Sequence, residues 1–223
     1  MIPKIAYSNW WKIAGVILVF YAVIGGMLLP VPARDILNET IRNLYYHVTM
    51  WFTMIFLLTV SLIYAILHLN KFELKYDTIS VEAAKVAMLF ASLGLLTGML
   101  WARFTWGAFW TSDPKLNGVA ASLLVYAAYF LLRNSIDDEQ KRARFSAVYN
   151  IFAYVMMNVF ILIMPRLTSS LHPGNGGNPA FKSYDLDNQM RLVFYPAVIG
   201  WILIGLWILT IQLRKRHIES ILT

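Results

Sequence analysis

The chain of 223 residues is 59% hydrophobic and 14% charged, carries a formal net charge of +7 and contains no cysteine. That balance excludes a soluble domain of this length, and the missing thiols exclude disulfides, thiolate metal ligands and thiol chemistry. The positive charge sits in short clusters that border apolar runs, a pattern that argues against nucleic-acid binding and for membrane topology.

In chain order, the first apolar run is Trp11–Leu29, ended by Pro30 and Pro32. Val31-Pro32-Ala33 resembles a small-residue cleavage site, but the run exceeds the roughly 7–15 residues of a signal core, so it reads as a retained helix. The runs Leu44–Leu67 and Ile79–Leu100 follow, joined by the charged link His68–Thr78. Next comes the aromatic segment Trp106–Asn117, which leads into a shorter run, Leu116–Leu132, and is expected to extend it into the membrane interface. Arg133–Arg144, with its Asp137-Asp138-Glu139 acids, reads as a solvated loop before Phe145–Met164. A Gly- and Pro-rich loop within Arg166–Arg191 precedes the last run, Leu192–Leu213. A span needs about 20 apolar residues, and in lipid the backbone must satisfy itself, so these runs predict helices. The expected fold is all-α: a polytopic membrane protein with six transmembrane helices, forming one domain over residues 1–223 without internal repeats.

Taking alternate ends together, one side holds the dense basic clusters, including Lys71, Lys75, Arg133, Lys141, Arg142, Arg144, Arg214, Lys215 and Arg216. The other side holds Arg34, Arg42, Arg103, Lys115, Arg166, Lys182 and Arg191. The positive-inside bias therefore predicts cytoplasmic N- and C-termini, with the aromatic segment (101–118) and the long loop (166–191) outside.

Four histidines are present. His68 and His217 fall at cytoplasmic helix ends among charges and read as surface groups. His47 lies near the outer end of the second run, where helical spacing aligns Asn43, His47, Met50, Trp51 and Met54 on one face. His172 lies in the outer Gly/Pro loop. Two imidazoles on opposite sides of a planar ligand would supply both axial positions of a haem iron, metal ligands His47 and His172. Aromatic side chains would pack on the porphyrin. The outer basic residues Arg42, Arg103, Lys115, Arg166, Lys182 and Arg191 could pair with its propionates. Without C-x-x-C-H the chain cannot attach haem to itself through cysteines, so such a haem would be b-type and non-covalent. Trp101, Trp106 and Trp110 also fit an interfacial aromatic belt, although a belt does not require Gly107, Asp113 and Lys115 in the same segment. Asn158 is the main mid-span polar residue and is expected to hydrogen-bond between helices.

Trp106-Gly107-x-x-Trp110-x-x-Asp113-x-Lys115-Leu116 resembles the tryptophan-rich "WWD" signature of haem-handling membrane proteins in cytochrome c biogenesis. The six spans, the flanking histidines and the length resemble the CcmC branch over nearly the whole chain. The pattern departs at Ser112, where the family has tryptophan, and at Asn117-Gly118, where it has Thr-Ser. The resemblance implies an inner-membrane subunit whose haem site faces the periplasm. It implies haem contacts from Trp106, Trp110 and Asp113, to which the stripe adds Trp51 and the segment adds Lys115. It implies presentation of haem to a CcmE-type chaperone, beside ABC transporter subunits and small membrane subunits, by a binding and delivery protein that is not an enzyme. Two other classes stay open: a cytochrome b-like electron-transfer subunit, and a permease or structural subunit of a haem-export complex.

Overall fold

The computed structural model describes residues 4–33, 36–172 and 186–222. Its long helices are α1 (Trp10–Leu28), α2 (Leu44–Lys71), α3 (Leu74–Trp106), α4 (Pro114–Asn134), α5 (Glu139–Leu167) and α6 (Asn188–Leu222). Each is long and apolar enough to cross a membrane, and there is no strand among the described residues. The run Pro173–Pro179, Arg34 and Lys182 lie outside the described residues.

The helices outrun the apolar stretches that predict them. Over its 35 residues α6 rises about 52 Å, against a hydrocarbon thickness of about 30 Å. Its last turns carry Lys215 and Arg216, each 3.8 Å from Glu219. Hydropathy marks what can sit in lipid, whereas a helix continues until a cap or breaker stops it. The aromatic segment is also divided differently from expectation. Trp106 ends α3, Gly107–Asp113 is irregular, and α4 gains its length from Pro114 onward rather than from the tryptophans.

The core lies where α2 packs along α3. Small residues Ala83, Ala84, Ala87 and Ala91 on α3 let the two backbones approach. Met54, Leu57, Leu58, Phe90, Tyr126 and Met157 fill the remaining space with essentially no exposure. α1 rests on α6, and α4 pairs with α5. The α4–α5 pair is tied to the core by polar bonds. Asn150 Nδ2 donates to Ser61 Oγ at 2.7 Å and to Ser80 Oγ at 3.1 Å, joining α5, α2 and α3. Arg133 on α4 donates to Asp77 on α3 at 2.7 Å in a buried, two-pronged ion pair.

Two expectations are corrected here. Asn158 donates to Tyr154 O of its own helix at 2.8 Å, and Asn150, about two turns earlier, makes the interhelical bonds instead. His68 is not a surface group: it is 1% exposed. Phe72 ends α2 in a left-handed turn (φ 56°), which brings the Glu73 carbonyl back to 3.1 Å from His68 Nδ1. The tight α2–α3 turn thus seals the ring between the helices. The acidic run is exposed, as expected, and Asp138 also caps α5 by accepting from Lys141 N at 2.7 Å.

Candidate functional site

At the end of the bundle where α2 begins and α3 ends, α4 begins and α5 ends, side chains from all four helices converge. His47 sits on the first turn of α2. Its Nδ1 lies 2.9 Å from Gly94 O on α3, and a carbonyl can only accept, so Nδ1 carries the proton. Nε2 is then the lone-pair nitrogen, and it accepts from Trp51 Nε1 at 3.3 Å. Trp51 and Trp101 both meet the imidazole edge-on at 5.9 Å between centroids.

Two glycines of α3 make this geometry possible. A Cβ on Gly98 would stand 2.5 Å from His47 Cε1, and one on Gly94 would stand 2.8 Å from Trp51 Cε2. Gly94-x-x-x-Gly98 on α3 therefore receives His47 and Trp51, themselves four residues apart on α2, in register. Asn43 extends the row by donating to Thr97 O at 3.0 Å. The predicted stripe runs along the α3 side of α2: Asn43 and His47 bond to α3, the Trp51 ring rests on Gly94, and Trp51 also packs against the core that buries Met50 and Met54.

The second half of the site is built on Asp113. Gly107 ends α3 with φ 82°, a left-handed conformation suited to glycine, and Arg103 donates to its carbonyl. The chain then crosses to Asp113, which caps α4 by accepting from Lys115 N at 2.9 Å, with Pro114 at the first helical position. The same carboxylate gathers the segment that follows α5. Oδ2 accepts from Ser170 Oγ at 2.8 Å and from Leu171 N at 2.7 Å, and Oδ1 lies 2.9 Å from His172 Nδ1. Burial opposes ionisation of this carboxyl. The hydrogen bonds from His172 and Ser170, the charge of His172 and the Leu171 N–H outweigh it and hold the carboxyl well below the usual carboxylate range. The Trp106 ring meets His172 edge-on at 5.0 Å.

What brings residues 170–172 to α4 is a defect in α5. Val159–Ile163 forms a π turn, and Gly118 of α4 packs so closely on it that a Cβ would stand 2.3 Å from Phe160 O. Pro165 follows, and the helix stops at Leu167.

Of the residues singled out in the sequence, His47 and Trp51 form one half of this corner, and His172, Asp113 and Trp106 the other. Trp110 lies 41% exposed beside Phe109 at 52%. Arg42 is committed elsewhere: it donates to Gly26 O at 2.8 Å and Leu29 O at 2.6 Å, satisfying the end of α1, and to Glu39 at 2.6 Å. Gly94, Gly98 and Ser170 carry no mark in the sequence, and Gly118 is marked only as a departure from the signature. Only the four-residue glycine spacing in an apolar run could have flagged the first two.

The donor set fits a haem iron. Each imidazole has Nδ1 held by an oxygen, Gly94 O or Asp113, the arrangement that orients a ring and leaves Nε2 to face a metal. The His172 side chain is 24% exposed, so its free edge is reachable.

A family model described as CcmC, Heme exporter protein C, matches residues 4–221. The chain is 27% identical over 150 residues to the Heme exporter protein C of Bradyrhizobium diazoefficiens, covering 67% of this chain and 56% of that relative. It is 35% identical over 80 residues to the cytochrome c biogenesis protein CcsA of Prochlorococcus marinus, covering 36% of this chain and 26% of that protein. The match thus spans little more than half the length of the first relative and about a quarter of the second. With a family match running from residue 4 to residue 221, the chain belongs to the CcmC family, Heme exporter protein C.

Proposed function

We propose that this protein binds b-type haem non-covalently at the periplasmic face of the inner membrane and delivers it for c-type cytochrome maturation. The whole chain acts as one haem-handling unit, with its termini in the cytoplasm. The receiving partner is a CcmE-type haem chaperone, and the protein works beside ABC transporter and small membrane subunits as a binding and delivery subunit rather than an enzyme. The observation that carries this reading is the pair of oriented imidazoles, His47 on α2 and His172 after α5, each with Nδ1 held by an oxygen at 2.9 Å.

His47 and His172 would hold the haem iron through Nε2, and the bound haem would supply the iron porphyrin that is passed on. The protein does the rest. The Gly94 carbonyl fixes the His47 tautomer, and Asp113 fixes that of His172 while stabilising positive charge on the ring. Trp106 and the exposed Trp110 offer apolar faces to a flat ligand, and Lys115 offers a cation that could pair with a propionate. His172 sits on a short irregular segment clamped by one carboxylate, so it is the ligand that can be let go during transfer, whereas His47 is seated on a helix.

The test is the spectrum of haem co-purified with the protein. His47→Ala and His172→Ala are each expected to shift it from low spin to high spin or to lose the haem, and to abolish chaperone loading. Exogenous imidazole should partly restore the low-spin bands. His217→Ala, at the far end of α6, is the control and should change nothing. Low-spin haem retained in both single variants would refute the site.

A further inference from the structure

We propose that Trp51 is a displaceable cap on His47, a positioning residue that holds the Nε2 lone pair in the haem-free protein and must leave it before iron can bind. This inference rests on the haem-site reading above for its consequence, but the cap itself belongs to the haem-free molecule.

Three observations carry it. The Nδ1 proton of His47 is committed to Gly94 O at 2.9 Å, so Nε2 is the only nitrogen of this ring with a lone pair to offer. That lone pair is already engaged by the Trp51 indole N–H at 3.3 Å. The two rings stand nearly perpendicular, at 82°, so the indole addresses the imidazole through its N–H edge rather than as a stacked plate. An indole nitrogen donates only, and one lone pair cannot serve both an N–H and a metal. The cap and the iron are therefore mutually exclusive occupants of Nε2.

The indole has little freedom on one side. Its six-membered ring rests against Gly94, where a Cβ would come within 2.8 Å of Cε2 and 2.9 Å of Cζ2. The N–H edge must therefore turn away from α3 to uncover Nε2. Haem capture trades a hydrogen bond for a metal bond, and release reverses the trade, so the vacated lone pair is not left bare when haem departs. The cap lowers haem affinity and assists hand-over, which suits a delivery protein better than a storage one.

A residue that merely packs against haem would behave in the opposite sense. Trp51→Phe keeps an aromatic ring and deletes the donor. If Trp51 were a platform, this change would weaken haem binding. As a cap, its removal tightens ferric haem binding by roughly two- to tenfold, the scale of one neutral hydrogen bond, with the low-spin spectrum retained.

The direct test uses the haem-free, detergent-solubilised protein. Diethylpyrocarbonate modification of His47, followed by mass spectrometry, should be several-fold faster in Trp51→Phe than in the wild type, because Nε2 is uncovered. Should that variant fold poorly, NMR of haem-free protein with 15N-labelled tryptophan serves instead. A downfield, hydrogen-bonded indole proton should move upfield in His47→Ala. Equal His47 reactivity in wild type and Trp51→Phe, weaker haem binding in Trp51→Phe, or an indole resonance indifferent to His47→Ala would each overturn the cap. Failure of the haem site is a separate result: low-spin haem surviving in both His47→Ala and His172→Ala would sink the site while leaving the reactivity comparison intact.

Discussion

Asp113 uses both oxygens, and its two duties can be separated. As the cap of α4 it accepts from Lys115 N, and an asparagine would cap nearly as well. As the clamp on residues 170–172 it accepts from Ser170, Leu171 and His172, which an amide cannot reproduce because its nitrogen only donates. Asp113→Asn is therefore predicted to leave α4 and membrane insertion intact while lowering haem affinity by about 10- to 100-fold, the usual effect of losing a ligand's orienting partner. Haem titration beside circular dichroism checks both halves. The carboxyl is held below its ordinary value, so the clamp is fully present above about pH 4 and is lost only as pH falls through that lowered value. Mild acidification to about pH 5 should leave Ser170–His172 anchored, as judged by limited proteolysis of the haem-free protein. At this scale His47, His172, Trp106 and Asp113 were legible, because imidazole, indole and carboxylate at a membrane rim are unusual enough to require a reason. Gly94, Gly98 and Ser170 were not, since what they contribute is a missing side chain or a local bond visible only when a second segment is alongside.

Among the elements, the α4–α5 pair decides where His172 goes. The π turn Val159–Ile163 and the approach of Gly118 to Phe160 O bring the end of α5 to the start of α4. Gly118→Ala would gain helix propensity, but its Cβ would stand 2.3 Å from a backbone oxygen that cannot step aside. The expected outcome is a loss of about 1–3 kcal/mol in stability. Thermal melting should show it, together with a lower low-spin fraction, since spreading α4 from α5 pulls His172 from Asp113. A variant that melted and bound haem as the wild type would show that this approach does not set the ligand's position. Helix existence and order were readable from the apolar runs. The π turn was not, because an extra backbone residue in a turn leaves hydropathy unchanged, and the helix ends were displaced because capping, not hydropathy, sets them.

For the whole molecule, the basic residues predict that tags at both termini and within residues 133–144 report from the cytoplasm, and that tags within 30–43 and 166–191 report from outside. A cytoplasmic signal from the His172 segment would put that ligand on the wrong side for periplasmic delivery. By itself the sequence determined the class of molecule, the number of spans, the family signature and the residue types able to ligate iron, all of which depend on composition and on spacing along one chain. The tertiary structure decided the rest. Four helix ends meet at one corner. His68 is buried and Arg42 is occupied by α1. Asp113 holds His172, and Gly94 and Trp51 take the two nitrogens of His47. Those outcomes arise between segments far apart in sequence, where a carbonyl, a glycine or an indole acquires its meaning from what packs against it.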